Sequence, residues 1–180
     1  ASAALATGGF AVGENLTGAV LLALALWLAR WDLARKSIQR PGLSRFIGIT
    51  LLSGYFWLAL SGALLFATGL QPGHPRHDAA LHSFFLGFVF SMIFAHAPII
   101  FPTVLGLPIA FRTRFYAHLA VLHLGLIARV ASDLLEFYTL KRWSTLLNAL
   151  AILLFLAQTV SVLGKTETFL PPDQQGKPNV

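Results

Sequence analysis

Six histidines are the residues of this chain whose type and placement can do chemistry. His82 and His96 stand fourteen residues apart in the stretch Leu81 to Pro98, which is apolar enough to cross a bilayer. At 100° per residue that separation is about 1400°, some 40° short of four turns, so a straight helix projects both rings from nearly one face, about 21 Å apart along its axis. His118 and His123 lie five residues apart on a later apolar stretch; they point about 140° apart and cannot both serve one site. His74 and His77 sit in the polar connector before Leu81. An imidazole inside an apolar segment can ligate a metal, pass a proton or bridge helices, and an ionisable side chain inside a membrane helix marks function by default.

The elements that must hold these rings follow from composition. Of the 180 residues, 56% are hydrophobic and only 11% charged, with a mean hydropathy of +0.72; a soluble domain carries about 25% charged residues. The fold class is therefore all-α, a polytopic membrane helix bundle in contact with the lipid bilayer. Five transmembrane helices are expected, each near the ~20 apolar residues a bilayer requires: 13–30, 46–70, a central span starting near Leu81, 114–137 and 140–163. Residues 1–12 read as a lead-in, 13–163 as a single five-helix transmembrane domain and 164–180 as a polar C-terminal tail. Glu14 and Asn15 suit a helix start, and Trp27 and Trp31 suit an interfacial belt. Pro98 and Pro102 each remove a backbone donor, so the segment after His96 is expected to bend or unwind as far as Pro108.

Loop charge sets the orientation. The side holding 30–45, Arg112, Arg114 and the tail carries nine Lys and Arg, against three (Arg76, Lys141 and Arg142) on the other. The positive-inside rule then places the N-terminus outside and the C-terminus in the cytoplasm, with the chain multi-pass in the cell's inner (cytoplasmic) membrane. The net charge of +6 sits in these loops as orientation and headgroup contacts, so no nucleic acid is expected as a partner. There is no cysteine, which excludes disulfides, iron–sulfur clusters and covalent c-type haem. No phosphate loop, H-E-x-x-H motif or nucleophile–base pair is present, which argues against a self-contained enzyme.

Two histidines separated by thirteen residues on one membrane helix, His82 and His96, resemble the arrangement of cytochrome b. The resemblance implies that two helices each carry such a pair and that four histidines clamp two haems across the bilayer. The run from Ala95 through His96 and Pro98 to Pro102 is similar to the NnrS-like haem membrane proteins. Gly87, Ser91 and Ala95 form a small-residue seam on the opposite face, while Val89, Ile93 and Ile100 share the histidine face and can wall a flat cofactor. The fourth span departs from the pattern. It offers His118 or His123 opposite His96, and nothing but Asp133 and Glu136 level with His82.

His118 shares its face with Gly125, Arg129, Ser132 and Glu136, a stripe that must turn inward because charge toward lipid is costly. Gly125 would leave room for a porphyrin there. Counted from the inner ends of their spans, His96 lies about 13 Å deep, His118 about 9 Å and His123 about 16 Å. Depth therefore allows either partner, and the shared face favours His118. Arg112, Arg114 and Tyr116 can hold propionates or anchor the interface. Arg129 and Asp133, one turn apart, should neutralise each other.

The leading expectation is an electron-transfer subunit of a respiratory or photosynthetic complex. It would bind one haem b through His96 and His118 or His123, and a second haem or a quinone near His82. Its partners would be quinol, an outer-side cytochrome or other redox subunits. The rivals are a non-redox structural or assembly subunit, and a copper- or zinc-handling protein built on His74, His77, Asp78 and His82.

Overall fold

In the computed structural model the described residues are 2–68, 73–106 and 111–162, with side chains from residue 15 onward apart from residue 105. Glu14's side chain, Pro108 and the expected polar tail lie outside them. The elements are α1 (Ser2–Trp31), α2 (Ala34–Ser37), α3 (Leu43–Thr68), α4 (Pro75–His82), a π-helical segment (Ser83–Val89), α5 (Phe90–Leu105), α6 (Phe115–Leu135) and α7 (Tyr138–Val162). All secondary structure among the described residues is helical, as the composition requires.

Among the described residues, four helices are long and apolar enough to cross a membrane: Leu43–Ala67, Pro75–Val104, Phe115–Leu135 and Tyr138–Ser161. The expected first span corresponds to a shorter apolar stretch, Asn15–Trp31, inside a helix that already begins at Ser2 rather than near residue 13.

The polar punctuation between spans has local causes. Asp32 Oδ1 accepts from the Ala34 N–H at 2.7 Å, turning the chain from α1 into α2. His74 is extended (φ −80°, ψ 138°), its Nδ1 accepts from the Arg76 N–H, and Pro75 follows. This is a capped helix start with proline in its first turn. Gly106 ends α5 in the left-handed region at φ 65°. Glu136 ends α6 the same way at φ 58°, and the Phe137 N–H bonds back to the Ser132 carbonyl at 3.0 Å. That tight stop lets α7 begin at Tyr138 and fold back along α6.

Helix α3 is the hub. It packs against α1, α2, α4, the π segment and α5, while α6 and α7 form a hairpin that meets the rest mainly through α4 and the π segment, with smaller contacts from α6 to α3 and from α7 to α5. Small residues set these approaches. A Cβ on Gly62 would lie 2.7 Å from the Leu22 backbone nitrogen, and one on Gly18 would run into the Phe66 backbone. The two backbones touch here without side chains between them. Gly62→Val must therefore lever α1 off α3. Overpacking of this kind costs about 1–3 kcal/mol, which should appear as a lower melting temperature in detergent; an unchanged melting temperature would show that α1 contributes little to stability.

The central span differs from its expected form in two ways. It passes through Pro98 and Pro102 as continuous α-helix. Its irregularity lies earlier, at Ser83–Val89, where the helix widens to the π form. One π turn holds one residue more than an α turn, which sets everything after it back by about 100°. His82 and His96, some 40° apart on a straight helix, are then about 140° apart. The seam of Gly87, Ser91 and Ala95 is buried as expected: Gly87 abuts Trp57, and Ser91 faces Gly54 on α3.

Candidate functional sites

Three of the four histidines in the spans share one device. The Nδ1 of His82 lies 2.8 Å from the Asp78 carbonyl, and that of His96 lies 2.7 Å from the Met92 carbonyl, each four residues back on the same helix. The Nδ1 of His118 lies 3.0 Å from Gln158 Oε1 on α7. A carbonyl or amide oxygen accepts, so Nδ1 must carry the proton and Nε2 keeps its lone pair. This is the form in which imidazole binds a metal or accepts a hydrogen bond.

His123 is different, because both its nitrogens are used. Trp57 Nε1 donates to Nδ1 at 2.9 Å, which leaves Nε2 to donate to Ser53 Oγ at 2.9 Å. Ser53 in turn donates to the Thr50 carbonyl at 2.8 Å. The chain of donors closes with each proton placed, and it ties α6 to α3. His123 is thus a bridge between helices with no free nitrogen, which removes it as an axial ligand. Replacing it with phenylalanine should lower stability by roughly 1 kcal/mol, the scale of one interhelical hydrogen bond in a membrane, measurable by urea or thermal unfolding in micelles.

The expected pairing of His96 with His118 does not form within the chain. His118 is 2% exposed and lies inside an aromatic cage, with ring-centroid distances of 4.6 Å to Phe94, 5.4 Å to Phe155, and 6.0 Å to Phe46 and to Phe115. Phe94 thus faces α6. His96, two residues on and about 200° round the helix, is exposed on the opposite face, together with Ile93, Ile99 and Ile100. The space that Gly125 was expected to leave for a porphyrin is filled by Asn148 and Leu147 of α7. Its inward stripe otherwise holds: His118, Gly125, Arg129 and Ser132 are buried, and Glu136 is exposed past the helix end.

The outer metal cluster is also rearranged. His74 serves as the cap of α4. His77 is half-buried, and its Nδ1 is enclosed without a hydrogen-bond partner. Asp78 instead pairs with Arg129 at 2.6 Å, with Lys141 at 2.7 Å and with His82 at 3.1 Å. Arg129 also holds Asp133 at 3.0 Å and donates to Thr145 at 2.8 Å, and Lys141 reaches Asp133 at 2.9 Å. The ligand atoms of Asp78, His82 and Asp133 lie within 4.8 Å of one another. Two acids here already face two bases, so the cluster is a neutral clamp across α4, α6 and α7 with no surplus charge to attract a cation.

Of the expected propionate anchors, Arg114 donates to Ser161 on α7 at 2.7 Å and Arg112 is exposed. Sequence reasoning missed Gln158 and Asn148, although a lone amide in an apolar span is itself a signal.

A family model described as a domain of unknown function matches residues 1–163. No curated protein and no solved structure matches the chain.

Proposed function

We propose that this chain, which belongs to the family described as a domain of unknown function, DUF8744, is a haem b-binding, electron-transfer subunit of a larger assembly in the inner membrane. In this reading His96 is its axial ligand. One observation carries the proposal: the imidazole of His96 is exposed on the outer face of a membrane-spanning helix, with Nδ1 tied to its own backbone and Nε2 bare. A polar group left without a hydrogen bond in an apolar medium costs about 2–7 kcal/mol. Such a ring belongs against a metal or a partner, not against lipid tails.

Whether the residues fit a haem depends on the face. Between α5 and α6 they do not, because Phe94 and Phe155 stack at 4.5 Å in the space a macrocycle would need. On the exterior of α5 they do. Ile93 and Ile100 flank His96 at one turn and are 42% and 49% exposed, an aliphatic wall beside a fixed lone pair. When bound, haem supplies the one-electron iron couple. The chain's own part is to hold one imidazole in a set tautomer and to shield it from water. On that face His96 would hold the haem from this chain, and the rest of its hold would come from another subunit of the assembly. His82, half-buried beside Leu81, Phe85 and Leu86 in an open depression, has the same tautomer and stands available for a second haem or a quinone on a different face.

The test is an absorption spectrum of the protein purified with its native partners. A Soret band that shifts on dithionite reduction supports the reading. A colourless assembly would overturn it and leave His96 as an interhelical hydrogen-bonding group of a non-redox subunit.

A further inference from the structure

The turn from α1 into α2 gathers three cations around one open basin. Arg30, Trp31, Asp32, Arg35 and Lys36 line it, and it holds about 570 Å³. Arg30, Arg35 and Lys36 are exposed, and among the described residues none of them forms a salt bridge. The single carboxylate of the basin is already engaged. Asp32 Oδ1 accepts from the Ala34 N–H at 2.7 Å, and the Tyr55 hydroxyl reaches the same group from α3. Three cations against one acid leave two positive charges in surplus, and like charges crowded together repel until an anion joins them. Trp31 sets the depth of the basin: it is 66% exposed, and the Arg30 guanidinium lies over its ring at 5.4 Å. An exposed tryptophan at the end of an apolar helix sits at the headgroup level of a bilayer, which is where lipid phosphates are.

We propose that this basin binds the headgroup of an anionic phospholipid carrying two negative charges, with its acyl chains laid along α1. The charge of the headgroup matches the surplus in the basin. Guanidinium groups such as those of Arg30 and Arg35 grip phosphate oxygens through paired N–H donors, while an ammonium such as that of Lys36 adds a point charge. The chains have their own surface. Val20, Leu24, Trp27 and Trp31 fall within about 60° of one another around α1, and they are 56%, 40%, 56% and 66% exposed. This apolar stripe runs into the basin at Trp31. It is about 16 Å long, close to the depth of one leaflet, half of the ~30 Å hydrocarbon core. A soluble phosphate compound would use the cations and leave the stripe idle, whereas a lipid uses both. The result is a site for one molecule, beyond the diffuse attraction that any cationic loop exerts on a membrane. It does not depend on haem at His96, which belongs to α5.

The experiment places the full chain in phosphatidylcholine nanodiscs and reads tryptophan quenching by lipids with brominated chains. Trp27→Phe and Trp143→Phe leave Trp31 as the exposed reporter beside the buried Trp57. Brominated cardiolipin should quench Trp31 at an about twentyfold lower mole fraction than brominated phosphatidylcholine, since each basic charge near a membrane surface is worth about fivefold and two are in surplus. Brominated phosphatidylglycerol, with one charge per headgroup, should fall between them. Arg35→Gln and Lys36→Gln, both at exposed positions, should each lower the cardiolipin preference about fivefold. Arg40→Gln, at an exposed cation outside the basin, should leave it in place. Equal quenching by cardiolipin and phosphatidylcholine, or a loss at Arg40→Gln as large as at Arg35→Gln, would overturn the proposal and reduce the cluster to diffuse attraction. Release of the quenching by inorganic pyrophosphate would overturn it too, by making the ligand a soluble anion.

Discussion

If the proposed haem is present, His96→Ala should abolish the Soret band of the assembled protein and His123→Phe should leave it in place. The expectation follows from which nitrogen each ring has to spare. The Nε2 of His96 is bare and faces outward, with Nδ1 held by the Met92 carbonyl at 2.7 Å. Both nitrogens of His123 are engaged at 2.9 Å with Trp57 and Ser53. In that reading His96 is this chain's only hold on the haem, so losing it should release the haem and its band, whereas losing a helix bridge should change only stability. Haem content by pyridine haemochrome, alongside the melting temperature, separates the two effects. A His96→Ala protein with wild-type haem content would sink the ligand assignment. His118→Phe is the internal control, since its cage has no room for a macrocycle and its Soret band should persist.

The second large effect is expected at Arg129→Met. The guanidinium is the hub of the clamp, bonded to Asp133, Asp78 and Thr145. Asp133's side chain is fully buried, and Asp78's is one-third exposed. Removing the hub leaves Asp133 with Lys141 alone, which is itself 36% exposed. Breaking one partner of a buried pair costs about 3–5 kcal/mol, because the remaining charge stays desolvated. The variant should therefore unfold far earlier in a detergent titration and should loosen α7 from α4. The double change Arg129→Met with Asp133→Leu should recover most of that loss, since no uncompensated carboxylate remains. Lys141→Met should cost less than about 1 kcal/mol, because water already screens that ammonium. An Arg129→Met protein within about 1 kcal/mol of wild type would mean the clamp is solvated in the membrane interface.

Both predictions concern residues whose importance was visible before their partners were. Arg129 had to face inward, and Asp133 one turn away was its evident partner. Asp78 and Lys141 could not be joined to them by any sequence rule, since they arrive from α4 and α7 through tertiary packing. Similarly, the small-residue seam from Gly87 to Ala95 was legible from its four-residue spacing, because spacing alone decides which residues share a face of a helix. The relation of His82 to His96 depends on the same arithmetic, but the π turn at Ser83–Val89 adds a residue to one turn and swings the later face away. Nothing in Ser-Phe-Phe-Leu-Gly-Phe-Val announces that insertion; it arises where Gly87 lets the helix close on Trp57.

The chain's apolar content and the spacing of its charged loops determined that it is a bundle of membrane-length helices, since lipid permits a spanning backbone no other way to satisfy its hydrogen bonds. Which histidine is free, which is a bridge and which is caged was decided only by tertiary structure. That outcome depends on the second nitrogen of each ring, and its partner is Trp57, Gln158 or the helix's own carbonyl according to how the helices are turned against one another.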